Sequence, residues 1–281
     1  MRPSVLRLRL PSVRALLGVV LLGTLLLPGG SSPAPAAAAG CAATPPSGGP
    51  PLPGLRLVWS DDFNSPPQPD RWNMRATTAF RYGTHNPRDN KLDWIDPSAV
   101  HVSCGIAELT ARPGPHRLPH RTRAWSTGLL TTEATPDRFL LRPGDFTEVR
   151  LQLPTAPGAW PALWTWRNGG NEVDSFEYHP DRPHLLELSN RVRGGQAYRS
   201  DPAIAPGAWV VIGTRYGAGS VDWYLDRRLV FRDHRGVGRS WSAYLVLNLS
   251  VSAGRYHRAP GSARPFTLAV DYLRVYRAGA A

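Results

Sequence analysis

Apolar residues recur at every second position in several short stretches of this chain. Between Glu148 and Leu153, Val149, Leu151 and Leu153 alternate with Glu148, Arg150 and Gln152. Val221, Trp223 and Leu225 alternate with Asp222, Tyr224 and Asp226, and Leu245, Leu247, Leu249 and Val251 with Tyr244, Val246, Asn248 and Ser250. A last run extends from Phe266 to Tyr276. A period of two means strands with one face buried. Prolines and glycines fall mainly between these runs, and no amphipathic helix of more than a few turns is evident. Many strands in one domain of this size predict an all-β fold, a β-jelly-roll sandwich of two antiparallel sheets.

The first residues follow another pattern. Arg2, Arg7, Arg9 and Arg14 flank an apolar run from Ala15 to Leu27, and small residues end at Ala37, Ala38 and Ala39. This is the layout of a secretory signal peptide, assigned to 1–39. The run is shorter than the roughly 20 apolar residues a membrane span requires, so no integral span and an extracellular destination are expected. Residues 40–53 are rich in Pro, Ala and Gly and read as a disordered tether, leaving 54–281 as one domain. In an exported chain, Cys41 and Cys104 permit one disulfide; a lipid attached at Cys41, or two free thiols, are the alternatives.

Charge adds little. Of 33 basic residues four arginines lie in 1–39, which leaves 29 against 21 acidic, a net charge of +8. Nearly all are Arg, with Lys91 the only lysine, and no tight basic run of the nucleic-acid type occurs, so nucleic acid is not expected as a partner.

The segment Asn171–His179, NEVDSFEYH, carries the candidate chemistry. On a regular strand Glu172 and Asp174 share one face and Glu177 points away. One extra residue, a β-bulge, would return Glu177 to that face. Three carboxylates there repel one another, and repulsion keeps at least one of them protonated to higher pH. A neutral acid beside an ionised one suits glycosidic bond cleavage. Acid-rich runs are often only solvated faces, but just upstream lies Gly158-Ala159-Trp160-Pro161-Ala162-Leu163-Trp164-Thr165-Trp166. Its tryptophans could be core, or platforms for the apolar faces of sugar rings.

With these motifs the chain resembles the family-16 glycoside hydrolases of concanavalin A-like fold, whose laminarinase-like branch carries Glu-x-Asp-x-x-Glu on a bulged strand. Leu57-Val58-Trp59-Ser60-Asp61-Asp62-Phe63 resembles the family's opening strand, and Ala124-Trp125-Ser126-Thr127-Gly128 its Tyr-Thr-Ser-Gly stretch. Val221-Asp222-Trp223-Tyr224-Leu225-Asp226, Leu247-Asn248-Leu249 and Val270-Asp271-Tyr272-Leu273-Arg274-Val275-Tyr276 are similar to later family strands.

The resemblance implies a retaining, endo-acting hydrolase with Glu172 as nucleophile, Glu177 as general acid then base, and Asp174 tuning Glu172. It implies sugar contacts from Trp160 and Trp164, then Asn90 and Trp94, then Tyr178 and His179. The partner would be a polysaccharide, most simply a β-1,3-glucan, met by a monomer. No cofactor is needed for catalysis, but a structural calcium on the side away from the cleft would be held by Asp271 and the carbonyl of Gly105. His179 and His184 fit no common metal-ligand spacing. Two departures bear on substrate: Ser175 stands where the family usually has an aliphatic residue at the bulge, and Asn248-Leu249-Ser250-Val251-Ser252-Ala253-Gly254 differs from the laminarinase Asn-Leu-Ala-Val-Gly-Gly. A galactan hydrolase, a transglycosylase and a non-catalytic glucan-binding protein are the alternatives on this fold.

Overall fold

The alternating runs pair into two sheets in the structure, a computed structural model that describes residues 49–279. The expected leader 1–39, most of the tether and Cys41 lie outside the described residues. Cys104 is disulfide-bonded. Leu52, within the stretch read as tether, packs with Leu55 on Phe146, Tyr224 and Tyr276; an apolar side chain with an apolar surface in reach is buried whatever its neighbours' composition.

In chain order the strands are β1 (Leu55–Asp61), β2 (Asp93–Ile95), β3 (Val100–Ser103), β4 (Ile106–Arg117), β5 (Arg123–Thr127), β6 (Leu129–Thr131), β7 (Phe146–Gln152), β8 (Ala159–Trp166), β9 (Val173–Tyr178), β10 (Leu185–Asn190), β11 (Gly195–Ser200), β12 (Trp209–Tyr216), β13 (Val221–Leu225), β14 (Arg228–Arg232), β15 (Tyr244–Val251) and β16 (Phe266–Ala278). The larger sheet runs β14-β13-β12-β7-β16-β4-β5-β2, with β1 also on β16 and β3 on β4. The smaller runs β11-β10-β9-β8-β15-β6. Pairing is antiparallel except between β2 and β5, which are parallel, a departure from the purely antiparallel expectation.

The period of two now has a spatial meaning. Leu163 of β8, Phe176 of β9, Leu188 of β10 and Leu245, Leu247, Leu249 and Val251 of β15 meet Val149, Leu151, Val210, Ile212, Trp223 and Leu268 of the larger sheet in one core. Their in-between neighbours, Trp160, Ala162, Trp164 and Trp166 on β8 with Val246, Asn248 and Ser250 on β15, are left on the outer face of the smaller sheet. There Phe80 packs with Ala162, Trp164 and Val246 as a separate apolar cluster, so the loop before β2 roofs part of that face. Gly158 opens β8 at φ +93°, and a Cβ there would lie 2.5 Å from Pro260. That close approach seats the loop after β15 beside the start of β8.

Candidate active site

β9 lies between β8 and β10, and its register slips against both. Glu177 pairs with Ala162 and Phe176 with Leu163, but Trp164 already pairs with Asp174. Across the other edge, Glu187 pairs with Glu177 and Ser189 with Asp174. Ser175 is therefore the extra residue, and the bulge implied by the acid spacing sits where the spacing puts it. Phe176 packs in the core and Ser175 is fully buried, while Glu172, Asp174 and Glu177 all line one cleft of about 470 Å³.

Each acid has its own surroundings. Trp160 Nε1 donates to Glu177 Oε2 at 2.5 Å. Burial raises the Glu177 carboxyl above the ordinary range, Lys91 lowers it, and Glu187 raises it further. Burial likewise raises Glu172, opposed by Arg191 and Lys91. Arg191 Nε lies 3.7 Å from Glu172 Oε1 and 3.8 Å from Asp174 Oδ2. Asp174, almost fully buried, is raised most firmly, by burial and then by Glu177 and Glu172. Three carboxyls of elevated proton affinity, with Arg191 beyond β10 and Lys91 over Trp160 of β8 as nearby cations, can hold a proton on one acid while another stays ionised.

Trp160, Trp164 and Trp166 form the wall, with Phe80, Asn86, Asp89, Lys91 and Ser250 completing the lining. Lys91 Nζ stands 4.7 Å from the Trp160 ring centroid and 5.3 Å from that of Phe80. Trp164 Nε1 donates to Asn248 Oδ1 at 2.8 Å, and Asn248 Nδ2 to Ser250 Oγ at 2.8 Å. Asn248, which matches the Asn of the family pattern, thereby fixes the Trp164 indole, and Ser250, where that pattern has Ala, holds Asn248 in turn.

The other expected sugar contacts fall elsewhere. Trp94 is sandwiched between His85 (4.3 Å) and His116 (4.0 Å), nearly parallel to both, so neither indole face is open to a sugar. Tyr178, next after Glu177 in the alternation, is buried in the core, its hydroxyl 3.4 Å from Pro183 O. Asn90 adopts a left-handed turn and accepts from Arg255 N at 3.2 Å; it ties two loops together and does not line the cleft. His179 flanks the acid end, 4.9 Å from Trp160 and stacked on His257 at 3.4 Å. Arg191, Lys91, Phe80, Asn86 and Asp89 are among the lining residues that the sequence did not single out, and Trp166, noted there only as one of three tryptophans, joins the wall. Arg191 follows β10, and only the pairing of Asn190 with Val173 brings it to the acids.

Neither possible metal position has a fitting donor set. Asp271 Oδ2, the expected calcium ligand, takes a 2.5 Å ion pair from Arg150 Nη1. Gly105 turns at φ +73° near Asn64 and the carbonyl of Asp62. With a guanidinium on its only expected carboxylate, this position already has its positive charge and does not fit calcium. His179, Asp181 and His257 also come together. However, the two imidazoles lie face to face at 3°, so their in-plane lone pairs run parallel instead of converging on an ion. Asp181 is taken by His257 Nδ1 and Arg258 N, both at 2.9 Å.

A β-sandwich with an aromatic-walled cleft and clustered carboxyls on one strand defines a glycan-cleaving class of protein. No family model matches the chain. It is 26% identical over 267 residues to a β-glucanase of Rhodothermus marinus, covering 80% of this chain and 86% of that protein. It is 24% identical over 274 residues to glucan endo-1,3-beta-glucosidase A1 of Niallia circulans, covering 81% of this chain but 39% of that longer protein. In fold it is similar to the endo-β-1,3-glucanase of Pyrococcus furiosus, with TM-score 0.68 and 20% identity over 81% of this chain and 96% of that one. The laminarinase catalytic domain of Thermotoga maritima gives 0.67 and 21% over 80% and 99%. The relatives in sequence and the neighbours in fold agree in being β-glucanases, and one neighbour, a non-specific endo-β-1,3(4)-glucanase at 21% identity and TM-score 0.66, is of family 16.

Proposed function

We propose that the chain is an exported, endo-acting hydrolase of β-glucan, that its substrate is a β-1,3-glucan, and that it works by retaining double displacement. The observation that carries the reading is the bulge at Ser175, which turns Glu172, Asp174 and Glu177 into one cleft beside Trp160, Trp164 and Trp166. Because Trp160 N–H occupies Glu177 Oε2, the other oxygen is the one free to carry the transferable proton. Glu177 donates that proton to the leaving glycosidic oxygen as Glu172 attacks the anomeric carbon. Glu177, now ionised, then takes a proton from water, which opens the glycosyl ester and frees Glu172. Arg191 favours the ionised form of Glu172, as a nucleophile needs. The Arg-flanked apolar leader supports export, and no helix among the described residues is long and apolar enough to cross a membrane.

The test is cleavage of a panel of β-1,3-glucan, mixed-linkage β-glucan, agar and carrageenan, with product sizes and the anomer first released. Internal cleavage of β-1,3-glucan with retained configuration is expected. Glu172→Gln and Glu177→Gln should remain folded and each lose activity, Glu177→Gln by about 10²–10⁴-fold. Inversion, or full activity in either variant, would overturn the assignment.

A further inference from the structure

The acid strand is held from its core side by three aromatic side chains, each with its polar tip on a different residue of the catalytic segment. Trp241 Nε1 donates to Asn171 O at 3.3 Å. Trp223 Nε1, fully buried, donates to Asp174 O at 2.9 Å. The Tyr216 hydroxyl lies 2.8 Å from Ser175 Oγ and 3.1 Å from Thr147 Oγ1, and Trp241 stacks on its ring at 5.2 Å. Ser175, Tyr216 and Thr147 belong to β9, β12 and β7, so these hydroxyls form a polar bridge between the two sheets directly beneath the bulge. All three residues are fully buried.

A buried hydroxyl in an apolar core is costly unless it is bonded. Ser175 therefore needs Tyr216, and an aliphatic residue at the bulge would have no use for it. An extra residue is the weakest point of a strand, because it is left out of the ladder. Here that residue carries its own tether to the opposite sheet, one and two residues from Asp174 and Glu177.

We infer that Tyr216 is a positioning residue for catalysis: through Ser175 it fixes the bulge and so sets how Glu177 stands relative to Glu172 and Asp174. This rests on the glycosidase reading above. Tyr216 touches no substrate and acts only through Ser175. Loosening the bulge spreads the orientations of Glu177, which lowers the rate of the bound complex without changing the aromatic wall that binds the glycan.

The test compares wild type, Tyr216→Phe, Ser175→Ala and the double variant. Tyr216→Phe keeps the ring and its stack on Trp241 while losing only the hydroxyl. Expected are a fall in kcat of about tenfold with KM unchanged, and a moved pH profile. The double variant should lose no more than the worse single one, because both break one bond. Ser175→Thr, which keeps a hydroxyl, should retain most of kcat. In parallel, the carboxyl titrations of Glu172 and Glu177 are followed by NMR with labelled glutamate, which needs no turnover. Shifted titrations in both single variants support the positioning role even if wild type cleaves none of the glycans offered, in which case only the functional reading fails. Unchanged kcat, pH profile and titrations in folded variants, with at most a lower Tm, would overturn the inference and leave Tyr216 as core.

Discussion

Trp160 gives its indole N–H to Glu177 at 2.5 Å while its ring faces the cleft and carries Lys91 on it. One side chain thus joins substrate wall to general acid. The N–H favours ionised Glu177 and pulls its proton affinity down against burial. Trp160→Phe keeps an aromatic wall and removes that donor. The Glu177 proton should then persist to higher pH, moving the alkaline limb of the kcat/KM profile upward. A hydrogen bond to a charged group is worth about 1.5–3 kcal/mol, so the optimum rate should fall by about tenfold or more. An unmoved alkaline limb would show that Trp160 does not tune the acid.

Arg191→Met tests the other limb. Arg191 opposes the burial of Glu172 and Asp174, and without it the nucleophile ionises only at higher pH. The acidic limb should move upward, with the loss of rate greatest at low pH. The guanidinium is half exposed, so the shift should be modest and should shrink in high salt. Profiles at two salt concentrations check both statements.

Asp174 predicts a conflict between stability and activity. Its carboxyl is raised well above 3.8 by burial and by the neighbouring acids. A raised acid contributes stability that is fully present below its unfolded value and is lost as pH rises through the folded one. At neutral pH the folded protein therefore bears a disfavoured charge. Asp174→Asn should melt at a higher temperature than wild type at neutral pH, with the gap closing below about 3.8. The same variant should cleave poorly. A lower Tm at neutral pH would contradict the electrostatic account.

The Arg150–Asp271 pair bears on metal dependence. With that guanidinium 2.5 Å from the carboxylate, a strong calcium chelator should leave both Tm and cleavage unchanged, and calcium should not raise Tm. Arg150→Ala uncovers the carboxylate and is the variant in which added calcium could stabilise. Thermal melts with and without chelator decide the point.

Much of this was legible in the chain because both the strands and the bulge are matters of counting. Alternation from Tyr244 to Val251 placed Leu245 and Leu247 in the core and Asn248 and Ser250 outside, as observed. The same parity, continued past the bulge, turns Tyr178 inward, which a resemblance to sugar-binding neighbours obscured. Trp94 was missed for a different reason. Its covering rings come from separate places, His85 from the loop before β2 and His116 from the end of β4, and no local pattern announces a stack assembled by tertiary packing. Arg191 and Lys91 were invisible for the same cause: each reaches the acids across a strand pairing or a loop crossing, and charge at long range leaves no period in a sequence.

The bulge at Ser175 also governs how this segment can change over generations. Losing that one residue would restore strict alternation with Glu172, Asp174 and Glu177 still on one face, whereas losing Val173 instead would turn Glu172 away from the other two. The acid pattern therefore tolerates a single-codon deletion only between Asp174 and Glu177, and losing Ser175 there would also remove the hydroxyl bridge to Tyr216. The strand is written in a reading frame of its own, with a period of two residues and one fixed exception.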